Sequence, residues 1–583
     1  MNLRALLFGA GVAISILWGL WGYGSDRVAA TPQVPAATFD LLIQNGRIID
    51  GTGNPAVRAD VGVRGDRIVA IGNLGAATAV RTIDARGLVV TPGFIDLHSH
   101  ADDGDEKAGL RHSDPVRRAA PNLVTQGITT VVVNPDGDSP WPIKEQRERY
   151  VRDRIGPNAI LLAGHNTIRR MVLGRDPRRP ATRAEIDRMK TLVAQAMNEG
   201  AFGLSAGLEY EPGRWSTTDE LVSLVEEAAR QGGFYIAHER SAGEPMWYYP
   251  SRDGAHAPTL LDSVRENIEI AERTGARVVI THIKARGGRY WGASALVIAA
   301  VERARARGLD LWADQYPYNT TGSDGQIVLI PDWALNDAGV RANGGTTPPN
   351  YADILERQLK NPDTAAKIRT DIAFEIVRRG EAANIRVFEY PDASYIGRTL
   401  AELAHPRGIS AVELAIRLQL DGFTERRGGA RLRSFSLSES DIEAFASRPW
   451  VATASDAGVA LPADGPAVHP RFYGTFPRKL RRYAMERGTQ SVEDAVRSAT
   501  SLPARILNLC DRGLLQPGYR ADLAMLDLDR VTDRATFTDP HQFADGVPYV
   551  LVNGVFVVDA GKPTHKLPGE ALSRPAGACR ADR

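Results

Sequence analysis

Apolar and polar positions alternate along the chain in two distinct ways. In the middle, short runs rich in Val, Ile, Leu, Phe and Thr recur, most of them followed by an amphipathic helical pattern. The runs are Gly93–His98, Ile128–Val133, Ala159–Ala163, Ala201–Ala206, Phe234–His238, Arg277–His282, Leu309–Asp314 and Trp450–Ser455. Continuous apolar runs of this length suit strands buried on both faces. Between them, Thr182-Arg-Ala-Glu185 forms a capping box before Ile186, Met189, Val193 and Met197, and Gly200 stands where a helix should stop. Thr217-Thr-Asp-Glu220 opens the next helix. Eight buried strands alternating with helices predict an α/β fold, a parallel (β/α)8 TIM barrel over residues 91–512. Asn319 to Pro449 is too long for one connection, so an inserted subdomain is expected over 325–445, between strands seven and eight.

The two ends read differently. Phe39–Arg86 and Arg520–Lys562 hold short strands separated by Gly and Asp turns, with Asn553-Gly554 as a type I′ hairpin turn. Residues 38–90 and 513–566 are expected to pair into one small composite β-sandwich. At the N-terminus a short basic start precedes Ala5–Tyr23, which is free of charge, and Val28-Ala29-Ala30 has the small-residue form of a cleavage site. Residues 1–30 therefore read as a signal peptide, with an uncleaved N-terminal membrane anchor as the rival. The expected destination is outside the cytoplasm, periplasmic or extracellular. Thr31–Ala37 reads as a linker and residues 567–583 as a flexible tail.

Composition narrows the function. Lys plus Arg is 71 against Asp plus Glu 70, which argues against a nucleic-acid binder relying on a broad basic field. Two cysteines exclude a disulfide scaffold and a multi-cysteine zinc site. Cys510 reads as core or cap, and Cys579 lies in the tail.

The ends of the barrel strands, where active sites of such barrels lie, carry chemistry. Five of the 11 histidines sit there: His98 and His100, His165, His238 and His282. Asp136 follows strand two, Glu209 strand four and Asp456 strand eight. One histidine of this kind is usually a hydrogen-bonded structural residue; the set is not scattered. His98 and His100, two apart, would share a face of a continuing strand. Imidazole suits zinc and its neighbours. Two metals can share such a set through a bridging carboxylate, and a water activated by metal supplies hydroxide near neutral pH. Asp456 would then serve as general acid/base. His165 is equally a substrate contact or a structural residue. Tyr316-Pro-Tyr318 lines the pocket or packs as aromatic core. Asp96 and Asp314 are candidates to orient ligand histidines. His112, His256, His405, His541 and His565 have no chemical context, and Arg169–Arg183 reads as a solvated loop.

Pro92-Gly-Phe-Ile-Asp-Leu-His-Ser-His100, Gly127-Ile-Thr-Thr-Val-Val-Val133, Gly203-Leu-Ser-Ala-Gly-Leu-Glu-Tyr-Glu-Pro-Gly213, His282-Ile-Lys284 and Ser455-Asp456 resemble the amidohydrolase superfamily. His469-Pro-Arg-Phe-Tyr-Gly-Thr-Phe-Pro-Arg478 and Gln516-Pro-Gly-Tyr-Arg-Ala-Asp-Leu523 place the resemblance nearer the N-acyl-D-amino-acid deacylase, or D-aminoacylase, branch. The resemblance runs from about Phe39 to Gly569. It implies a hydrolase containing one or two divalent metals, zinc foremost. Its ligands would be His98, His100, His238 and His282, and its catalytic aspartate Asp456. Lys284 and Arg471 would hold a substrate carboxylate, and Tyr210 would line the site. The implied reaction cleaves a linear amide of a small N-acyl-D-amino acid or D-residue-containing dipeptide. One departure stands out: many D-aminoacylases carry a cysteine ligand after strand two in a Gly-Asn-Cys-Gly turn, and here Asn134-Pro-Asp-Gly137 puts Asp136 in that place. Glu209 is expected as the bridging ligand ahead of Asp136. The rival readings are a cyclic amidase or lactonase on the same scaffold, and a catalytically inactive, membrane-tethered binding protein.

Overall fold

The structure, a computed structural model, describes residues 38–102, 109–244, 258–322, 327–335, 349–575 and 579. The expected signal or anchor, the linker Thr31–Ala37 and His256 lie outside the described residues. No helix among the described residues is long and apolar enough to cross a membrane.

Eight parallel strands make the barrel: Phe94–Asp96, Ile128–Val133, Asn158–Leu161, Gly203–Gly207, Phe234–His238, Val278–Ile280, Leu311–Gln315 and Val451–Thr453. Each pairs with its sequence neighbour, strands three and four through the short continuation Ala163–Gly164. The circle closes at the mouth, where Ala457–Gly458 pairs with Ser99–His100. Every residue of strands two, four, five and seven is buried, as the continuous apolar runs require. The predicted capping box at Thr182 and Glu185 is formed, and Thr217 caps the following helix through the Glu220 amide.

A nine-stranded sheet stands outside the barrel and is shared by both chain ends. The long strand Thr38–Ile48 pairs with Val57–Arg64, Thr78–Asp84 and Val89–Pro92, and Val89–Pro92 in turn pairs antiparallel with Leu523–Leu526. Leu41, Ile43, Val61, Ile68, Leu523, Met525 and Leu551 form its core. Asn553 and Gly554 both have positive φ, as a type I′ turn needs.

Between strands seven and eight lies a unit with its own hydrophobic core, including Leu355, Ile368, Ile372, Ile385, Leu414 and Leu432. It contains the helices Tyr351–Leu359, Pro362–Arg378 and Ala411–Asp421 and the hairpin Ile385–Glu389 with Arg431–Ser434. The helix Glu439–Ala446 packs on the barrel helix Ser294–Ala306 instead. The chain thus returns to the barrel near Leu437.

The end of the chain departs from expectation. Gly569 and Leu572 donate backbone hydrogen bonds to Ile155 and Ala159, beside the start of strand three, and Arg147 reaches the carbonyl of Leu572. Cys579 is disulfide-bonded to Cys510. The segment from Leu567 to Pro575 is therefore a docked strap and not a flexible tail. The two cysteines form a staple that spacing alone does not reveal.

Candidate metal centre

The strand ends bring four imidazoles and two carboxylates into one buried cluster. His98 Nε2 lies 3.3 Å from His100 Nε2, and His238 Nδ1 lies 2.8 Å from His282 Nε2. Asp136 stands between the two pairs. Its Oδ1 is 3.6 Å from His98 and 3.7 Å from His282; its Oδ2 is 3.8 Å from His100 and 3.2 Å from His238. Asp456 Oδ1 is 3.0 Å from His100 Nε2 and 3.6 Å from His98 Nε2. The donor atoms fall into three overlapping groups: His98 with His282 and Asp456, His98 with His100 and Asp136, and Asp136 with His238 and His282. Asp136 Oδ1 is buried without a hydrogen-bond partner among the described residues. An unpaired buried carboxylate oxygen facing imidazole nitrogens is a poor native arrangement unless a cation completes it. The donor set fits divalent metals of the zinc kind.

Local backbone explains how these groups converge. Asp136, His282 and Asp456 all have positive φ, at 51°, 36° and 50°. Each strand turns sharply where its ligand leaves it, a strain found at functional sites. Gly207 allows the Asp136 turn to come close: a Cβ there would stand 2.0 Å from the Asp136 carbonyl oxygen.

The supporting groups are fixed in turn. His98 Nδ1 is 2.6 Å from the Thr281 hydroxyl, which donates to Asp314 at 2.7 Å, and Asp314 also accepts from the His282 amide. Asp96 accepts from the Ser455 amide at 2.8 Å and so steadies the turn carrying Asp456. Burial pushes the carboxyls of Asp96 and Asp314 up to about 7. Burial also lowers His98, to about 4. Asp456 behaves oppositely. Burial alone would raise it, but the Arg471 guanidinium, His100 and His98 together hold it well below the usual carboxylate range.

The sequence-predicted residues are thus largely assembled, with one correction. Glu209, expected to bridge, lies outside all three donor groups. Its carboxylate receives both Arg286 nitrogens, at 2.8 and 3.2 Å, and Arg378 at 3.1 Å, and it meets His238 Nε2 at 3.0 Å. Asp136, and not Glu209, stands between the two imidazole pairs, and Glu209 meets the outer nitrogen of His238.

Arg471 donates from Nη2 to Asp456 at 2.9 Å, and its guanidinium stacks over the Tyr316 ring at 4.7 Å. Lys284 Nζ lies 5.7 Å from that ring and 2.7 Å from His282 Nδ1. Burial lowers its ammonium to about 8. Tyr316 OH is buried, beside both cations, and without a hydrogen-bond partner among the described residues. The Tyr210 ring lies 4.4 Å from the His238 ring, tilted by 57°, and the residue is 43% exposed, at the rim. His165 is not brought in: its Nε2 binds Glu220 at 2.9 Å in a buried network with Arg169. Arg286 was not singled out by the sequence: the strand ends at Ile280 and the chain turns at His282, so alternation does not extend to residue 286. Arg378 lies in the inserted unit, and no local signal marks it.

The sequence pattern of the amidohydrolase family matches residues 81–293 and 361–558. N-acyl-D-glutamate deacylase of Alcaligenes xylosoxydans xylosoxydans is 33% identical over 561 residues, covering 92% of this chain and 97% of that protein. D-aminoacylase of the same organism is 32% identical over 567 residues, covering 93% and 99%. The solved structure of N-acyl-D-glutamate deacylase from Bordetella bronchiseptica, in complex with zinc and a phosphonate mimic of the tetrahedral intermediate, matches with a TM-score of 0.70. That match has 30% identity over 92% of this chain and 100% of the other.

Proposed function

Since this chain belongs to the amidohydrolase family, we propose that it is a metal-dependent hydrolase cleaving the linear amide bond of N-acyl-D-amino acids to a carboxylate and a free amino acid. The observation carrying this reading is the cluster itself: four imidazoles around Asp136, with Asp456 at one edge and a half-engaged Arg471 beyond it. Zinc, held by His98, His100, Asp136, His238 and His282, would polarise the amide carbonyl and acidify water.

The protein's own groups account for the rest. Asp456 is kept ionised by Arg471, His100 and His98. It accepts a proton from the attacking water at a carboxylate oxygen and returns it to the leaving amine nitrogen. Arg471 offers Nε and Nη1, both buried and without partners among the described residues, to a substrate carboxylate. Lys284 and the Tyr316 hydroxyl stand beside it. The scissile amide is thereby placed next to Asp456, because one guanidinium touches both.

The decisive assay measures free amine release from paired D- and L-configured N-acetyl amino acids, beside hydantoins, dihydropyrimidines and lactones. Turnover confined to the D-configured linear amides supports the reading. Preference for a ring substrate would overturn it, and tight binding of N-acyl amino acids without turnover by metal-loaded protein would favour a binding protein.

Export belongs to the same proposal. The Cys510–Cys579 disulfide supports an oxidising compartment, in keeping with the apolar segment Ala5–Tyr23. Cell fractionation tests it; recovery of active protein with free thiols from the cytoplasm would count against it.

A further inference from the structure

We propose that Arg378, a residue of the inserted unit, is a positioning residue for the metal site, acting on His238 through Glu209. The inference rests on the metal-centre reading above and concerns what the insertion contributes to it.

His238 has two ring nitrogens in different company. Nδ1 faces Asp136 Oδ2 at 3.2 Å and His282 Nε2 at 2.8 Å, on the metal side. Nε2 faces Glu209 Oε2 at 3.0 Å. A carboxylate on Nε2 makes that nitrogen the donor and leaves the Nδ1 lone pair to a metal. What holds Glu209 therefore sets the angle of the imidazole.

Two guanidiniums hold it. Arg286 comes from the loop after strand six and forks onto both carboxylate oxygens. Arg378 is the last residue of the inserted helix Pro362–Arg378 and places Nη1 on Oε1 at 3.1 Å. Its Nε and Nη2 are fixed on Glu375, one turn earlier, at 3.0 and 2.9 Å. All of these side chains are buried. Glu375 also meets Arg379, whose Nε lies 3.4 Å from Oε2, and so keeps a cation without Arg378. Removing Arg378 takes one of two guanidiniums from the buried Glu209 carboxylate, a loss that favours its movement.

The insertion is well placed to hold this contact. Its return segment is bonded to the loop carrying Arg286: the Gly287 amide donates to the Ser436 carbonyl at 2.9 Å, and Arg286 bridges to Leu437. On its other side Arg286 bridges to Gly243, five residues beyond His238. The inserted unit thus reaches Glu209 both through a side chain and through the backbone frame of Arg286.

The test uses the full chain, stripped with a chelator and titrated with Zn(II), and with Co(II) for its visible spectrum. R378A and E209Q should each weaken one of two bound ions by about 10–100-fold, the usual effect of removing a group that orients a ligand. R378A placed on E209Q should add little, because both act through one carboxylate. R378K, which keeps the charge but cannot fork onto Glu209 and Glu375 together, should fall between. R378K is the variant to read where R378A yields no folded protein. Parent-like affinity for both ions with an unchanged Co(II) spectrum would overturn the inference, as would losses from R378A and E209Q that multiply. Parent protein that binds no metal would instead overturn the metal-centre reading.

Discussion

Arg471 and Asp456 share one hydrogen bond, Nη2 to Oδ1 at 2.9 Å, while Nε and Nη1 of the same guanidinium are buried and unpaired among the described residues. The pair joins substrate recognition to proton transfer. R471A should lower kcat/KM for an N-acyl-D-amino acid about 10–100-fold more than for its carboxamide analogue, since a charged hydrogen bond is worth roughly 1.5–3 kcal/mol. Loss of the Asp456 contact affects both substrates, so the ratio between them isolates the carboxylate. An equal effect on the two would remove Arg471 from substrate recognition.

Replacement of Asp456 by Asn separates chemistry from metal binding. D456N keeps the size of the side chain and loses its proton-accepting charge. His98, His100, His238, His282 and Asp136 remain as donors. Turnover should fall by about 10²–10⁴-fold, the usual contribution of a general acid/base. Plasma mass spectrometry should still count the parent's metal content. Full activity in D456N would end the assigned role.

Asp136 makes the opposite case. Among the described residues it is the carboxylate that lies within 4 Å of all four imidazoles, so D136A should cost more metal than any change at Glu209, beyond the roughly 10–100-fold of an orienting group. D136C places a thiolate at the same spot and should recover binding, with a thiolate-to-metal absorption band on Co(II) loading. Retention of two ions by D136A would return the bridge to Glu209.

This correction shows where the sequence was legible and where it was not. The barrel was readable because strands buried on both faces are rich in apolar and β-branched residues, and Ile128–Val133 and Phe234–His238, buried at every residue, are of that kind. The histidines were readable because strand ends fix their place. Asp136 against Glu209 was not decidable, because both follow barrel strands and only geometry reveals that Arg286 and Arg378 claim Glu209. Arg378 lies 169 residues from its partner, on a helix whose pattern speaks only of its own core. The C-terminal strap was misread for a related reason: Gly569 and Leu572 dock through backbone hydrogen bonds, and the few side chains that help, Ala571, Leu572 and Arg574, are too short a run to show a pattern.

The strap supplies its own prediction. Cys510 and Cys579 are 69 residues apart, and the bond joins two segments at the face of the barrel opposite the metal cluster. C510S with C579S should destabilise the protein by about 2–4 kcal/mol and expose the last residues to limited proteolysis. kcat/KM measured well below the melting temperature should stay within about twofold, because the strap touches no group of the cluster. A large loss of activity at unchanged stability would show that the strap reaches the active site.

Lys479 gives a pH dependence whose sign is fixed. It is buried just after the helix Arg471–Arg478, and its Nζ donates to the Ala446 carbonyl at 3.2 Å. Burial lowers its ammonium from 10.5 to about 7. Below about 7 both folded and unfolded chains carry the proton, and the folded chain bears the full cost of a buried charge. Between about 7 and 10.5 the unfolded chain binds more protons, so this residue's contribution to stability improves as pH rises. K479M removes the group and with it this slope. Its melting temperature relative to the parent should be most favourable near pH 6 and should drop as pH approaches about 9.5. A difference that is flat over that range would mean that Lys479 keeps an ordinary affinity for its proton in the folded protein.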